Sequence, residues 1–88
     1  MVTADVVVRN RAGLHTRPAA NIVKLAAKFK SDIYLARDGF SINAKSIIGV
    51  MTLAAEQGCT LQLQVDGPDA DDAVAQMQAL FEDGFGEL

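Results

Sequence analysis

The segment RAGLHTRPAA holds His15, the single histidine of this 88-residue chain, between a turn glycine and the start of a helix. Gly13 permits a tight turn, and Pro18 suits a first helical turn, where its missing N–H costs no hydrogen bond. The backbone amides of Thr16 and Arg17 would then have no acceptor within the helix and would point out beside the imidazole. Such a helix start binds anions, and the Arg17 guanidinium adds a planar set of donors that fits a phosphate.

His15 is the residue with which this segment could do chemistry. The positive end of the helix dipole and the Arg17 charge both disfavour an imidazolium, so we expect a neutral ring that can attack phosphorus. A lone histidine is more often structural than functional, but this context favours function. The chain offers no second histidine, no acidic pair placed around His15 and no glycine-rich nucleotide loop. The pattern therefore indicates acceptance and release of a phosphoryl group.

Length and composition indicate the number of domains, the cofactors and the compartment to expect. The length predicts one domain, residues 1–88, with a single hydrophobic core. One histidine and the lone Cys59 are too few for a protein-built zinc site, so we expect no metal and no cofactor. The lone cysteine suits a reducing compartment, no run approaches the ~18 apolar residues of a membrane span, and the N-terminus lacks a signal-peptide pattern. We expect a cytoplasmic protein with no membrane partner.

Charge is divided unequally along the chain. The net charge is −3, but residues up to Lys45 carry +5 and the residues after it carry −8. This division predicts a positive side that suits an anionic group or an acidic partner. A small nucleic-acid-binding domain that uses Arg9, Arg11 and Arg17 is the alternative, and the lack of interleaved stacking aromatics disfavours it.

Hydrophobic periodicity predicts the order β-α-β-β-α-β-α. Alternation predicts four strands, and helical spacing predicts three helices that begin near Thr16, after Ser46 and after Asp69, with Asp69 as the N-cap of the third. The predicted strands are 2–8, 32–37, 40–43 and 60–66, and the first two helices run to about Lys30 and Gln57. Asp38-Gly39 predicts a two-residue hairpin turn. The fold class is α+β, an open-faced sandwich in which a four-stranded antiparallel sheet is covered on one side by three helices.

The chain resembles the HPr phosphocarrier family of the phosphoenolpyruvate-dependent phosphotransferase system. The resemblance is carried by GLHTRPAA, by AKSIIGVMTLAAEQG and by the order of elements across the whole chain. It implies that His15 accepts a phosphoryl group on Nδ1 from enzyme I and passes it to EIIA domains, while Arg17 steadies the phosphate. It also implies a carrier that is a substrate of other enzymes, which we expect to be a monomer.

The resemblance further implies one docking surface for donor and acceptor. Its residues are Leu14, Thr16, Arg17, Ala20 and Lys24 of the first helix, with Ile47, Ile48 and Met51 of the second. The alternative is that Ile47, Ile48 and Met51 all belong to the core. Consecutive Ile47 and Ile48 cannot both point inward from a helix with one apolar stripe, so we expect at least one of them to be exposed.

Ser46 has two compatible interpretations. As a residue before a helix it predicts an N-cap, and the resemblance adds phosphorylation by an HPr kinase/phosphorylase. A regulatory module, acting mainly through phospho-Ser46-dependent binding to a transcription regulator, is therefore the competing function. The tail LFEDGFGEL resembles the nitrogen-regulatory branch of the family, whereas KSIIGVMTL resembles the kinase-regulated branch. His15 itself excludes the catabolite-repression relative that lacks the active histidine.

Ala12 departs from the family pattern. Family members often have a small polar residue before the glycine, where this chain has Ala12. We therefore expect backbone groups alone, without a side-chain hydrogen bond, to hold the imidazole of His15.

Overall fold

The computed structural model describes residues 1–87; Leu88, which the predicted domain includes, lies outside the described residues. The elements are β1 (Val2–Val7), α1 (Thr16–Ala26), β2 (Asp32–Arg37), β3 (Phe40–Asn43), α2 (Ile47–Thr52), β4 (Thr60–Asp66), α3 (Ala70–Glu82) and a 3₁₀ turn (Gly84–Gly86). The strands form one antiparallel sheet in the order β1-β4-β2-β3. The predicted fold class, an open-faced α+β sandwich, is confirmed.

The sheet buries one face and leaves the other to solvent. The buried strand positions include Val6, Ile33, Leu35, Ile42, Leu61, Leu63 and Val65. Their neighbours along the strands, such as Asp5, Val7 and Tyr34, are exposed. The helices supply the other half of the core with apolar side chains that include Ile22, Met77 and Phe81. Each such side chain contributes about 1.5–3 kcal/mol when fully buried, so the alternation of the strands determines which face the helices cover.

The turn between β2 and β3 has the geometry that its two residues favour. Asp38 and Gly39 have φ angles of 51° and 80°, and Arg37 pairs with Phe40 across the strands. Positive φ at both central positions is the mark of a type I′ turn, for which Asp-Gly is a preferred pair. The predicted hairpin is confirmed.

The first helix is shorter than its apolar spacing predicts. The prediction ran to about Lys30, but α1 ends at Ala26. The amides of Lys28 and Phe29 bond to carbonyls only three residues back, at 3.1 and 3.2 Å. The chain thus leaves the α-helix through a tighter turn, which still places the Phe29 ring in the core.

The second helix is also shorter than predicted. Helical spacing predicts that it extends to about Gln57, but α2 ends at Thr52. The next residues bond three positions back, and Ala54 adopts a left-handed φ of 50°. The chain then leaves the helix direction, and the carbonyl of Ala55 becomes available to a distant segment.

Asp69 stands at the predicted cap position of α3 but does not cap its own helix. Its carboxylate instead accepts hydrogen bonds from the backbone amides of Lys30 and Ser31, at 2.8 and 2.9 Å, and from the Ser31 hydroxyl. The cap interpretation of its side chain is therefore wrong, because a tertiary site offers three donors. Asp69 fastens the α1–β2 connection to the start of α3.

We expect Asp69→Asn to lower the free energy of unfolding at neutral pH and to matter little at about pH 2. The hydrogen bonds from Ser31 and Lys30 lower the pKa of Asp69 from its ordinary 3.8 to about 2. Because the pKa is lower in the folded state, this stabilisation is present above the unfolded pKa and is lost as pH falls through about 2. Urea unfolding of parent and variant across this range measures the effect. Asp71→Asn, in the exposed first turn of α3, is the control, and a difference for Asp69→Asn that did not change with pH would contradict the prediction.

Candidate functional site

His15 is the N-cap residue of α1. Its backbone is extended (φ −80°, ψ −167°), and its carbonyl accepts the Ala19 amide at 3.0 Å. The imidazole makes no capping hydrogen bond, and 43% of the side chain is exposed. Since helical bonding begins at that carbonyl, the amides of Thr16 and Arg17 have no acceptor within the helix. The helix start predicted from the sequence is confirmed, with Pro18 buried in the first turn.

The loop before His15 is held by the segment that follows α2. The Leu14 amide donates to the Ala55 carbonyl at 2.9 Å, and the His15 amide donates to the Gly13 carbonyl at 3.0 Å. Gly13 has a φ of 73°, and a Cβ there would lie 2.5 Å from the Ala55 oxygen. The early end of α2 thus supplies the acceptor that fixes the backbone next to the imidazole, and only glycine fits the contact.

A side-chain network that the sequence patterns did not predict reaches the imidazole. The fully buried Asn10 donates from Nδ2 to the Gly13 carbonyl at 2.7 Å and to Glu87 Oε1 at 2.9 Å. The same Glu87 oxygen lies 3.3 Å from His15 Nε2. The expectation that backbone groups alone hold the ring, drawn from Ala12, is wrong, because a carboxylate from a distant part of the chain takes the place of a local polar side chain.

Asn10, one of the two residues of this network, could have been identified from the sequence. The inward alternation of the first strand, through Val6 and Val8, continues to Asn10, and a polar residue at an inward position must find a partner. Glu87 left no such signal, because it lies 72 residues from His15 along the chain and no local pattern joins them.

The carboxylate of Glu87 faces one of the two imidazole nitrogens, Nε2. The hydrogen bond from the Asn10 amide, together with the His15 ring and the Arg17 charge, lowers the pKa of the Glu87 carboxyl, so it is ionised at neutral pH. An ionised carboxylate can only accept hydrogen bonds. A neutral ring bonded to it must carry its proton on Nε2, which leaves a lone pair on Nδ1.

The predicted docking residues are mostly at the surface. Ile48 is 73% exposed, and Ile47 and Met51 are 39% and 43% exposed, so the prediction that at least one of the two isoleucines is exposed is confirmed. Of the α1 residues, Thr16, Arg17 and Lys24 are exposed and Ala20 is half-buried.

Leu14 is the exception among these residues. It is only 5% exposed, which corrects its place on the docking surface. Its amide is tied to Ala55 and its side chain packs in the core, so it positions the loop rather than meeting a partner.

Ser46 is the N-cap of α2. Its hydroxyl accepts the Gly49 amide at 3.1 Å, and the residue is exposed. The predicted cap is confirmed, whereas its modification stays a prediction.

Two further findings concern residues 1–87. Over this range, no helix is both long enough and apolar enough to cross a membrane. The same residues contain no group of three or more histidine, cysteine, aspartate or glutamate side chains placed to hold a metal ion.

An open-faced α+β sandwich that presents an imidazole at a helix N-terminus defines a small phosphoryl-carrying domain. The chain belongs to the HPr family: the family model described as "PTS HPr component phosphorylation site" matches residues 2–83. The phosphocarrier protein HPr of Treponema pallidum is 51% identical, with 99% of each chain covered. The crystal structure of an HPr from Thermoanaerobacter tengcongensis superposes with a TM-score of 0.96 at 40% identity, covering 100% of this chain and 99% of that one. The family is one of phosphocarriers rather than catalysts.

Two other relatives extend the comparison to an HPr-like protein and to a dimer. The HPr-like protein Crh of Bacillus subtilis is 43% identical over 90% of this chain and 93% of its own. A solved HPr dimer from Thermoanaerobacter tengcongensis has a TM-score of 0.77 at 39% identity, covering 99% of this chain and 100% of that one. The family therefore includes dimers, and a monomeric state for this chain stays a prediction.

Proposed function

We propose that this chain accepts a phosphoryl group on His15 Nδ1 from phosphorylated enzyme I and transfers it to EIIA domains in the cytoplasm. The observation that carries the proposal is the contact of 3.3 Å between His15 Nε2 and Glu87 Oε1. A carboxylate at Nε2 favours the proton on that nitrogen and therefore the lone pair on Nδ1, which supports attack from Nδ1.

The proposed transfer needs no group beyond the two proteins. The Nδ1 lone pair forms a bond to phosphorus while the bond between phosphorus and the donor's nitrogen breaks, and the proton on Nε2 stays in place. The free amides of Thr16 and Arg17 and the Arg17 guanidinium bind the phosphoryl oxygens. Transfer to an EIIA domain is the same displacement with this chain as donor.

The docking surface proposed for these exchanges consists of Thr16, Arg17, Ala20, Lys24, Ile47, Ile48 and Met51. It combines exposed apolar side chains on α2 with the positive charges of Arg17 and Lys24 on α1. Small apolar anchors inside a basic rim suit acidic partners that bind briefly, because the charges speed encounter more than they prolong binding.

The test of the proposed function is incubation of the purified protein with phosphoenolpyruvate and a catalytic amount of enzyme I. We expect one phosphoryl group per chain that is labile in acid and stable in base, and its discharge on addition of an EIIA domain. NMR of the ¹⁵N-labelled ring assigns the phosphorylated nitrogen. A phosphate found on Nε2, or on no residue, would contradict the proposal.

We also propose that phosphorylation of Ser46 regulates the carrier. Ser46 is exposed and directly precedes the exposed Ile47 and Ile48. A phosphoserine adds a charge of about −2 at this edge of the docking surface, where it would repel acidic partners.

For Ser46 we expect an HPr kinase with ATP to add an acid-stable phosphate that is absent from Ser46→Ala and present in Ser41→Ala, a control on the exposed β3. Phosphorylation of His15 by enzyme I should then slow by about tenfold in the phosphoserine form, because like charges meet on docking. Unchanged kinetics after complete Ser46 phosphorylation would remove this regulation. Tight binding of that form to a transcription regulator would favour the competing function, a regulatory module.

A further inference from the structure

We propose that Glu87 is a positioning residue for phosphoryl transfer: its carboxylate holds the His15 ring as the Nε2–H tautomer and balances the positive charge that the ring gains when Nδ1 is phosphorylated. The inference rests on the proposed function of His15 and adds a role for a residue outside the GLHTRPAA segment.

The Glu87 carboxylate is held in place by the buried Asn10. Asn10, buried at 0% exposure and 77 residues away along the chain, donates to the same Oε1 that faces His15. The other hydrogen bond of the Asn10 amide fixes the Gly13 carbonyl. One amide thus aligns the carboxylate with the loop that carries the imidazole, and the Glu87 side chain is only 16% exposed.

The turn that delivers Glu87 is itself anchored in the core. Phe85 is buried at 3% exposure and lies edge-on to Phe81, with ring centroids 4.9 Å apart. Its φ of 59° lies in the left-handed region, which costs a non-glycine residue free energy that the packing must offset. Glu87 therefore follows a fixed turn, and its approach to His15 is part of the fold.

The chemistry of transfer gives the carboxylate its role. Before attack the ring is neutral with a proton on Nε2; after the N–P bond forms and the donor's P–N bond breaks, the ring bears one positive charge. A carboxylate next to Nε2 stabilises that charge as it develops. Because Nε2 and Nδ1 lie on different edges of the ring, the carboxylate stays away from the incoming phosphoryl group. The charge of Arg17 also lowers the pKa of Glu87, and the exposed Arg17 is the residue proposed to bind the phosphate.

Two substitutions separate orientation from charge. Glu87→Gln keeps an acceptor for Asn10 and His15 but removes the charge, whereas Glu87→Ala removes both. We expect Glu87→Ala to lose the preference for the Nε2–H tautomer, read from ring ¹⁵N chemical shifts at a pH where the ring is neutral, and Glu87→Gln to keep it. Both variants should be phosphorylated about two- to fivefold more slowly by enzyme I, as expected for a partly exposed charge pair. Glu82→Gln, at the exposed end of α3, is the matched control and should change neither reading.

The two readings also separate this inference from the proposed function. The tautomer is measured on the unphosphorylated protein, so it tests Glu87 even if enzyme I transfers nothing to the parent chain, a result that would instead sink the proposed function. A Glu87→Ala variant that is folded by circular dichroism and keeps both the parent's ring shifts and the parent's rate would overturn the role of Glu87. If Glu87→Ala kept the tautomer of the parent but was phosphorylated more slowly, the proposed role of Glu87 in orienting the ring would be overturned.

Discussion

Replacement of His15 by alanine is expected to abolish acid-labile phosphorylation by phosphoenolpyruvate and enzyme I. The chain has a single histidine, and its partly exposed imidazole stands at a helix start whose first amides have no acceptor within the helix. Those amides remain in His15→Ala, so the anion site persists while the nucleophile is gone, and labelling should fall to background. Radiolabel retained after alkaline denaturation and lost after acid treatment is the measurement.

Two comparisons make this result specific to the imidazole. Urea unfolding of His15→Ala should stay within about 1 kcal/mol of the parent, since a partly exposed side chain with no capping bond and one contact, to Glu87, contributes little to stability. Arg17→Lys keeps the charge but loses the planar fork of donors, so it should slow labelling by about tenfold without abolishing it. Labelling of His15→Ala at the parent's level would show that the phosphoryl group resides elsewhere.

Gly13→Ala should produce the largest loss of stability among the substitutions considered. The residue has a left-handed φ of 73°, and the added Cβ would lie 2.5 Å from the Ala55 carbonyl oxygen. The left-handed backbone costs about 1–2 kcal/mol, and relief of the contact must stretch the hydrogen bond between Leu14 and Ala55, for a total of about 2–4 kcal/mol. The free energy of unfolding in urea measures this loss. Phosphorylation of His15 should also slow, because the displaced loop carries the ring.

Gly39→Ala is the control for Gly13→Ala. Gly39 has a similar φ of 80°, but nothing lies within 4 Å of its added Cβ. It should therefore lose only the backbone part, about 1–2 kcal/mol, and leave phosphorylation of His15 unchanged. Equal losses in the two variants would mean that the packing of Ala55 against Gly13 has no energetic weight.

The local patterns of the sequence predict most of the elements and the helix start at His15. Alternation identified the strands, and residue preferences identified the Asp38-Gly39 turn and the Ser46 cap, since each of these depends on neighbours within a few residues. The predicted ends of α1 and α2 are wrong because the apolar spacing continues past each helix, to Phe29 after α1, whereas the backbone there already bonds three residues back.

The candidate site was only partly predictable for the same reason. His15 and Arg17 stand in one recognisable segment, but the carboxylate beside the ring comes from Glu87, through the buried Asn10. Asp69 likewise binds Ser31 rather than its own helix. No periodicity or spacing rule connects residues so far apart, so the groups that orient the imidazole emerge only from the folded chain.

The pairing of β1 with β4 has a consequence for how the protein is made. Val2 pairs with Val65 and Val7 with Thr60, so the first strand to be synthesised has no partner until the last strand has emerged. Such distant pairing slows folding, because the entropy cost of closing a long loop comes before the contacts between the strands can offset it. During synthesis the first strand exposes unpaired backbone groups and apolar side chains, and it can pair with strands of other chains. We expect fragments that stop before Thr60 to aggregate.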